Sequence, residues 1–223
     1  LLFVFVCLQK TKIHDFGACL VSYKTGTGRE CIFVSRDAKL DGSKAIRGGC
    51  PLVFPQFGQS DKSMPQHGFL RVNFWKADES TMYDNEDGAG ITYTLDLKDV
   101  EQARGGKWDE NTSYDCTCLF HVKIYSQSFS TKLEIKNTGE NEFEFQTLLH
   151  TYYLVDGKAA LDGSKCYVKG LEGTHVFIFC FFADDTYFII TKTIVYFFGN
   201  LVIQTKEKII ICALSQLPFL YIL

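Results

Sequence analysis

The chain has 223 residues, 46% of them hydrophobic and 22% charged, which is enough apolar material for one sizeable core and excludes a disordered or collagen-like chain. A formal net charge of −3 excludes the broad basic footprint that nucleic-acid binding demands. Nine cysteines without a Cys-x-x-Cys pair or a zinc-type Cys/His array imply reduced, buried thiols, no metal site and a cytoplasmic location.

The apolar run Leu1 to Leu8 has no basic residue before it and is too short to span a bilayer, so it predicts neither a signal peptide nor a membrane segment. The missing initiator Met implies a fragment or a non-native start. From there to Gly173 the dominant hydrophobic period is two. Strands are predicted at Cys19 to Tyr23, Cys31 to Val34, Ile91 to Leu97, Leu119 to Tyr125 and Lys132 to Lys136. Asn137-Thr-Gly139 predicts a hairpin that returns through Phe143, Phe145, Thr147 and Leu149, with His150 on the opposite face beside Glu142 and Glu144. No sustained helical stripe is present. One mainly antiparallel β domain follows, a sandwich rather than a closed barrel.

Three stretches carry more chemistry than strand or turn filler. In Asp41 to Gly58, the segment Arg47-Gly-Gly-Cys-Pro51 places an arginine beside two flexible glycines, followed by Pro51 and Pro55, which stiffen the loop carrying Phe54 and Phe57. That pattern fits a rigid loop aiming a cation, or a tight turn with a solvated arginine. Pro65-Gln-His-Gly-Phe-Leu-Arg71 gathers Gln66, His67 and Arg71 near Trp75, a set suited to a hydroxylated or phosphorylated small molecule, or to an ordinary turn. Leu148-Leu-His-Thr-Tyr-Tyr153 sets His150 inside an apolar strand, where it is either a satisfied core histidine or a proton donor of near-neutral pKa. Cys116 and Cys118 fall on one strand face, and Arg104-Gly-Gly-Lys107 reads as a hairpin tip. No nucleophile elbow, P-loop, dinucleotide fingerprint or zincin motif is present.

Ala38-Lys-Leu-Asp-Gly-Ser-Lys44, Ile46-Arg-Gly-Gly-Cys-Pro-Leu-Val-Phe-Pro-Gln-Phe-Gly58, Pro65-Gln-His-Gly-Phe69 with Arg71 and Trp75, and His150-Thr-Tyr-Tyr153 occur in one order. Together they resemble the hexose-6-phosphate mutarotase (glucose-6-phosphate 1-epimerase) branch of the aldose 1-epimerase, galactose mutarotase-like, family, over roughly residues 9 to 173. The resemblance implies an all-β antiparallel supersandwich that binds a hexose 6-phosphate, glucose 6-phosphate above all, and interconverts its anomers without a cofactor. On the family pattern His150 is the general acid, His67 positions the sugar near its ring oxygen, and Arg47, Gln66 and Arg71 are the substrate-binding candidates, the arginines for the phosphate.

Composition changes at Gly173. Beyond it lie one glycine, Gly199, and only six charged residues among fifty, in a tail rich in Phe and Ile whose uncharged runs are too short for a membrane helix and fit strands. The family's late glutamate base has no counterpart there. Leu214 falls at its place when the Ile211-Cys212 pair is aligned, and Glu207 is the one glutamate of the tail. Residues 174 to 223 therefore read as a divergent or non-native tail on a single domain, incomplete at its C-terminal end. The expected function is anomer interconversion by acid and base ring opening, weakened by the missing base. The alternatives are a non-catalytic sugar-phosphate binding protein and a non-functional truncated product.

Overall fold

The fold is described from a computed structural model. It describes residues 2–6, 9–104 and 114–155, together with short strands at 168–169, 200–204, 208–213 and 221–222. Strand β1 (Leu2–Val6), made of the opening apolar run, pairs antiparallel with β2 (Gln9–His14), which pairs with β3 (Cys19–Tyr23). Two-residue β4 (Leu52–Val53) follows, then β5 (Lys76–Asn85), β6 (Gly88–Asp96), a short helix α1 (Leu97–Arg104), β7 (Cys116–Ile124) and β8 (Phe129–Asn137). The chain continues in β9 (Leu148–Leu154), β10 (Val168–Lys169), β11 (Asn200–Gln204), β12 (Lys208–Ala213) and β13 (Tyr221–Ile222). The sheets run β1-β2-β3, β5-β6-β7-β8, β11-β12-β9-β4 and β10-β13, and every named pairing is antiparallel.

Period-two patterning explains the layer formed by β5 to β8. Along β7, Cys116, Cys118, Phe120, Val122 and Ile124 are buried, while Thr117, Leu119 and His121 face outward. Both thiols therefore lie on one inward face, as the spacing predicts. Tyr93 and Leu95 of β6 join them, and the same core takes in Ile13, Leu20, Leu52 and Phe54 from the other sheets, so the apolar faces close on one another as a sandwich. The outer edge strand β8 carries Lys132, Glu134 and Lys136, and charge there discourages edge-to-edge pairing. Lys132 Nζ lies 2.9 Å from Glu134 Oε2 and Lys136 Nζ 3.4 Å from Oε1, and these donors hold the Glu134 carboxyl down at about 2.

Three sequence expectations are corrected. The hairpin from Lys132 to Leu149 does not form: β8 pairs with β7, and residues 142–147 are not strand, so His150 shares no strand face with Glu142 and Glu144. The turn itself is present, but its Thr138 and Gly139 amides both donate to Asp115 O, at 2.8 and 3.0 Å, which directs the chain away from β8. Phe143 and Phe145 then pack on Phe54, at centroid distances of 6.4 and 5.1 Å. Cys31 to Val34 forms isolated bridges, Ile32 to Tyr153 and Val34 to Gly48, because its backbone alternates partners between two segments. Among the described residues one α-helix forms despite the lack of a long stripe: α1 buries Leu97 and Val100, and Asp96 Oδ1 accepts from the Lys98 amide at 3.1 Å near its start.

Candidate functional site

The three stretches singled out in the sequence are stitched into one ribbon by backbone hydrogen bonds. The Arg47 to Pro55 segment lies along β9: the Tyr152 amide donates to Gly49 O at 2.8 Å, the His150 amide to Pro51 O at 2.9 Å, and Leu52 and Val53 pair with Leu149 and Leu148. On its other flank, the Phe69 amide donates to Phe54 O at 2.8 Å and the Phe54 amide to His67 O at 3.3 Å. Gly68 permits this approach. It sits at φ +72°, and a Cβ there would collide with the Phe54 carbonyl. The chain thereby brings His67 and His150, 83 positions apart in sequence (150 − 67), to a ring-centroid distance of 5.8 Å.

His67 is the more constrained of the two. Its φ of 65° is a conformation that non-glycine residues seldom take. Its amide donates to Gly58 O at 2.7 Å, and the Gly58 amide donates back to His67 Nδ1 at 3.0 Å. A backbone amide can only donate, so Nδ1 is the acceptor and the neutral ring carries its proton on Nε2. Phe57 lies against the same ring at 5.1 Å. Burial, then the neighbouring Arg71 guanidinium and the His150 ring, push the His67 pKa down to about 4, so at neutral pH it is a fixed hydrogen-bond donor. His150 stacks on Tyr152 of its own strand face at 5.0 Å and 21°, while Thr151 points to the buried side.

Arg71 follows in the short helical turn Leu70–Val72. Its Nη2 donates to Gln66 O at 2.8 Å, and its Nε is buried without a hydrogen-bond partner among the described residues. Burial lowers the guanidinium pKa and the adjacent Tyr152 phenol opposes that shift. His67, His150, Arg71 and Tyr152 thus form one group. Gln66 contributes its carbonyl, and its side chain is exposed. Arg47 is also exposed; its carbonyl accepts from the Ser35 amide at 2.8 Å, in the loop that meets β9 at Tyr152.

Sequence reasoning missed two glutamines that shape this site. Gln56 is buried, and its side chain bonds Asp61 O, Pro65 O, Ser60 Oγ and the Asp61 amide, which closes the loop leading into His67. Gln146 donates its backbone amide to Pro55 O at 2.7 Å, and its side-chain Oε1 accepts the Phe57 amide at 2.9 Å. Amide side chains offer no periodic signal, and only the strand crossing brings Gln146 to the loop. In the tail, β12 pairs with β9 with Cys212 opposite His150, while Leu214 and Glu207 lie outside the described residues, as do Gly105 to Lys107 of the expected hairpin tip. Among the described residues no helix is long and apolar enough to cross a membrane, and no three His, Cys, Asp or Glu side chains gather as metal ligands would.

The family profile described as aldose 1-epimerase matches residues 8–177. A protein of Escherichia coli (strain K12) named "Putative glucose-6-phosphate 1-epimerase" is 30% identical over 156 residues, covering 70% of this chain and 47% of that one. One of the same name from Cenchrus ciliaris is 28% identical over 167 residues, covering 72% and 47%. The chain spans about half the length of these curated relatives. Among solved structures, a Salmonella typhimurium protein titled "putative mutarotase" superposes with a TM-score of 0.59 at 25% identity, covering 71% of this chain and 49% of that one.

Proposed function

Because the chain belongs to the aldose 1-epimerase family, we propose that the His67, Arg71 and His150 group is a sugar site of the anomer-interconverting kind, with a hexose 6-phosphate as its ligand. The observation that carries the reading is the pairing of two histidine rings, 5.8 Å apart, beside the Arg71 guanidinium, whose buried Nε has an open donor among the described residues. A ring that protonates only near pH 4 can hold a sugar oxygen through Nε2–H at neutral pH, yet it cannot carry the proton. That role falls to His150.

In the reaction, a base takes the proton of the anomeric hydroxyl while His150 gives its proton to the ring oxygen. The bond from C1 to that oxygen breaks as the C1 carbonyl forms. Rotation about C1–C2 turns the other face of the aldehyde to the ring oxygen, and the proton transfers reverse on closure. Arg71, with Arg47 at the exposed margin and Gln66 beside it, meets the phosphate by charge-assisted hydrogen bonds, which an uncharged sugar cannot engage. The resemblance makes the base a glutamate, for which Glu207 is the candidate in the tail, and the second reading is that the site binds the sugar phosphate without turning it over.

Calorimetry and exchange NMR on the anomers of glucose 6-phosphate separate these readings. Exchange above the buffer rate that His150→Asn removes supports catalysis, and Glu207 is then the first residue to replace. Saturable binding with exchange at the buffer rate supports the binding protein. Absence of binding to both glucose and glucose 6-phosphate overturns both.

A further inference from the structure

We propose that Gln146 is a positioning residue for His67, holding the Pro55 to Gly58 loop so that the Gly58 amide keeps the His67 ring in its Nε2–H tautomer. This deepens the sugar-site reading and rests on it for its functional meaning, though its physical content stands alone. Gln146 meets the loop at two points, its backbone amide donating to Pro55 O at 2.7 Å and its side-chain Oε1 accepting the Phe57 amide at 2.9 Å, and only the second depends on the side chain. Gly58, the next residue, donates to His67 Nδ1 at 3.0 Å, and Phe57 packs on the same imidazole. Gln146 stands two residues before the start of β9 and four before His150, so the same clamp ties the loop serving one histidine to the strand bearing the other. Gln56 fixes the far side of the loop through Asp61 and Pro65, the His67 amide holds Gly58 O at 2.7 Å, and the Gln146 side chain holds the Phe57 amide between them.

The chemical consequence is specific. A neutral imidazole in solution exchanges between two tautomers, and one amide bond of ordinary strength to Nδ1 favours Nε2–H by roughly fivefold. The Nε2–H form puts a donor on the ring position away from Gly58, whereas the other tautomer would offer an acceptor there and leave the Gly58 amide without its partner. The charged and titratable groups acting on this ring are Arg71 and His150.

Long-range proton–nitrogen correlation NMR of the 15N-labelled chain at neutral pH tests the idea, with the His67 signals identified as those absent in His67→Gln. The unaltered chain should show a pyrrole-type Nε2 and a pyridine-type Nδ1. In Gln146→Leu and Gln146→Ala the two nitrogens should converge toward averaged shifts, with the roughly fivefold excess lost. Gln146→Glu, which keeps an acceptor for the Phe57 amide, should retain the single tautomer. Because Gln146 is exposed, these variants are expected to keep the dispersed spectrum of the folded chain. An unchanged His67 tautomer in both Leu and Ala variants, or its loss in the Glu variant, overturns the proposal. The readout needs no turnover, so its failure is distinguishable from failure of the sugar-site reading.

Discussion

Arg71 and His67 show how burial changes what a side chain can do. A guanidinium whose buried Nε keeps an open donor among the described residues suits a doubly charged ligand group, since a charge-assisted bond is worth about 1.5 to 3 kcal/mol. Arg71→Ala is therefore expected to weaken glucose 6-phosphate binding by roughly ten- to a hundredfold while changing glucose binding far less. Calorimetry with both sugars checks this; equal losses would move Arg71 to the hydroxyls or to structure. For His67 the native ring protonates near pH 4, and the unfolded one near its ordinary value of about 6.5. Between those values the unfolded state binds more protons, so stability falls as pH is lowered from about 6.5 toward 4. Urea midpoints across that window should decline for the unaltered chain and decline less for His67→Gln. NMR titration should place the His67 midpoint near 4, and a midpoint at 6.5 would contradict the desolvated, cation-flanked setting.

Among the elements, the ribbon of three motifs depends on backbones approaching without an intervening Cβ. Gly68→Ala forces a side chain into the Phe54 carbonyl from a φ of +72°. Positive φ alone costs about 1 to 3 kcal/mol, and the clash adds to it, so a large fall in the urea midpoint and loss of the Phe57 ring contact with His67 are expected. A variant of unchanged stability would mean that the bridge between Phe54 and Gly68 contributes little. Glu30 plays a comparable part elsewhere. Its Oε1 accepts the Tyr23, Cys31 and Ile32 amides, each at 3.0 Å, and Oε2 accepts Ser22 Oγ at 2.5 Å, fixing the segment after β3 where regular pairing lapses. Glu30→Leu leaves several part-buried amides without this acceptor and should cost about 1 to 3 kcal/mol.

For the molecule as a whole, the core and the site share side chains. Phe54 is fully buried, packs edge-on to Tyr114 at 6.0 Å, and carries on its own backbone the bonds to His67 and Phe69. Phe54→Ala should cost about 3 to 5 kcal/mol of stability, measured by denaturant unfolding, and should also shift the His67 resonances. A surface residue of the outer sheet face such as Lys132 makes a useful control. Its replacement should stay within about 0.5 kcal/mol, because an exposed pair with Glu134 contributes little.

Much of the fold was legible beforehand because a half-buried strand must alternate. Cys19 to Tyr23 is β3, while β6 and β7 each begin three residues earlier than their apolar runs suggest and end one residue earlier. The family and the candidate residues were legible because Arg47, the Pro65 to Arg71 stretch and His150 occur in a fixed order. What periodicity could not decide was pairing: Asn137 to Gly139 looks the same whether the chain folds back on β8 or crosses to β4, and the choice rests on Asp115, which accepts both turn amides. The state of the histidines was equally hidden. His67 and His150 are the same residue type in the sequence; it is the tertiary arrangement that surrounds one with Arg71, a second imidazole and the Gly58 amide, making it a neutral donor of defined tautomer. Sequence order alone marked which side chains are candidates for the site. Their separation, burial and protonation depended on which backbones lie side by side, since desolvation and hydrogen-bond partners exist only once distant segments meet.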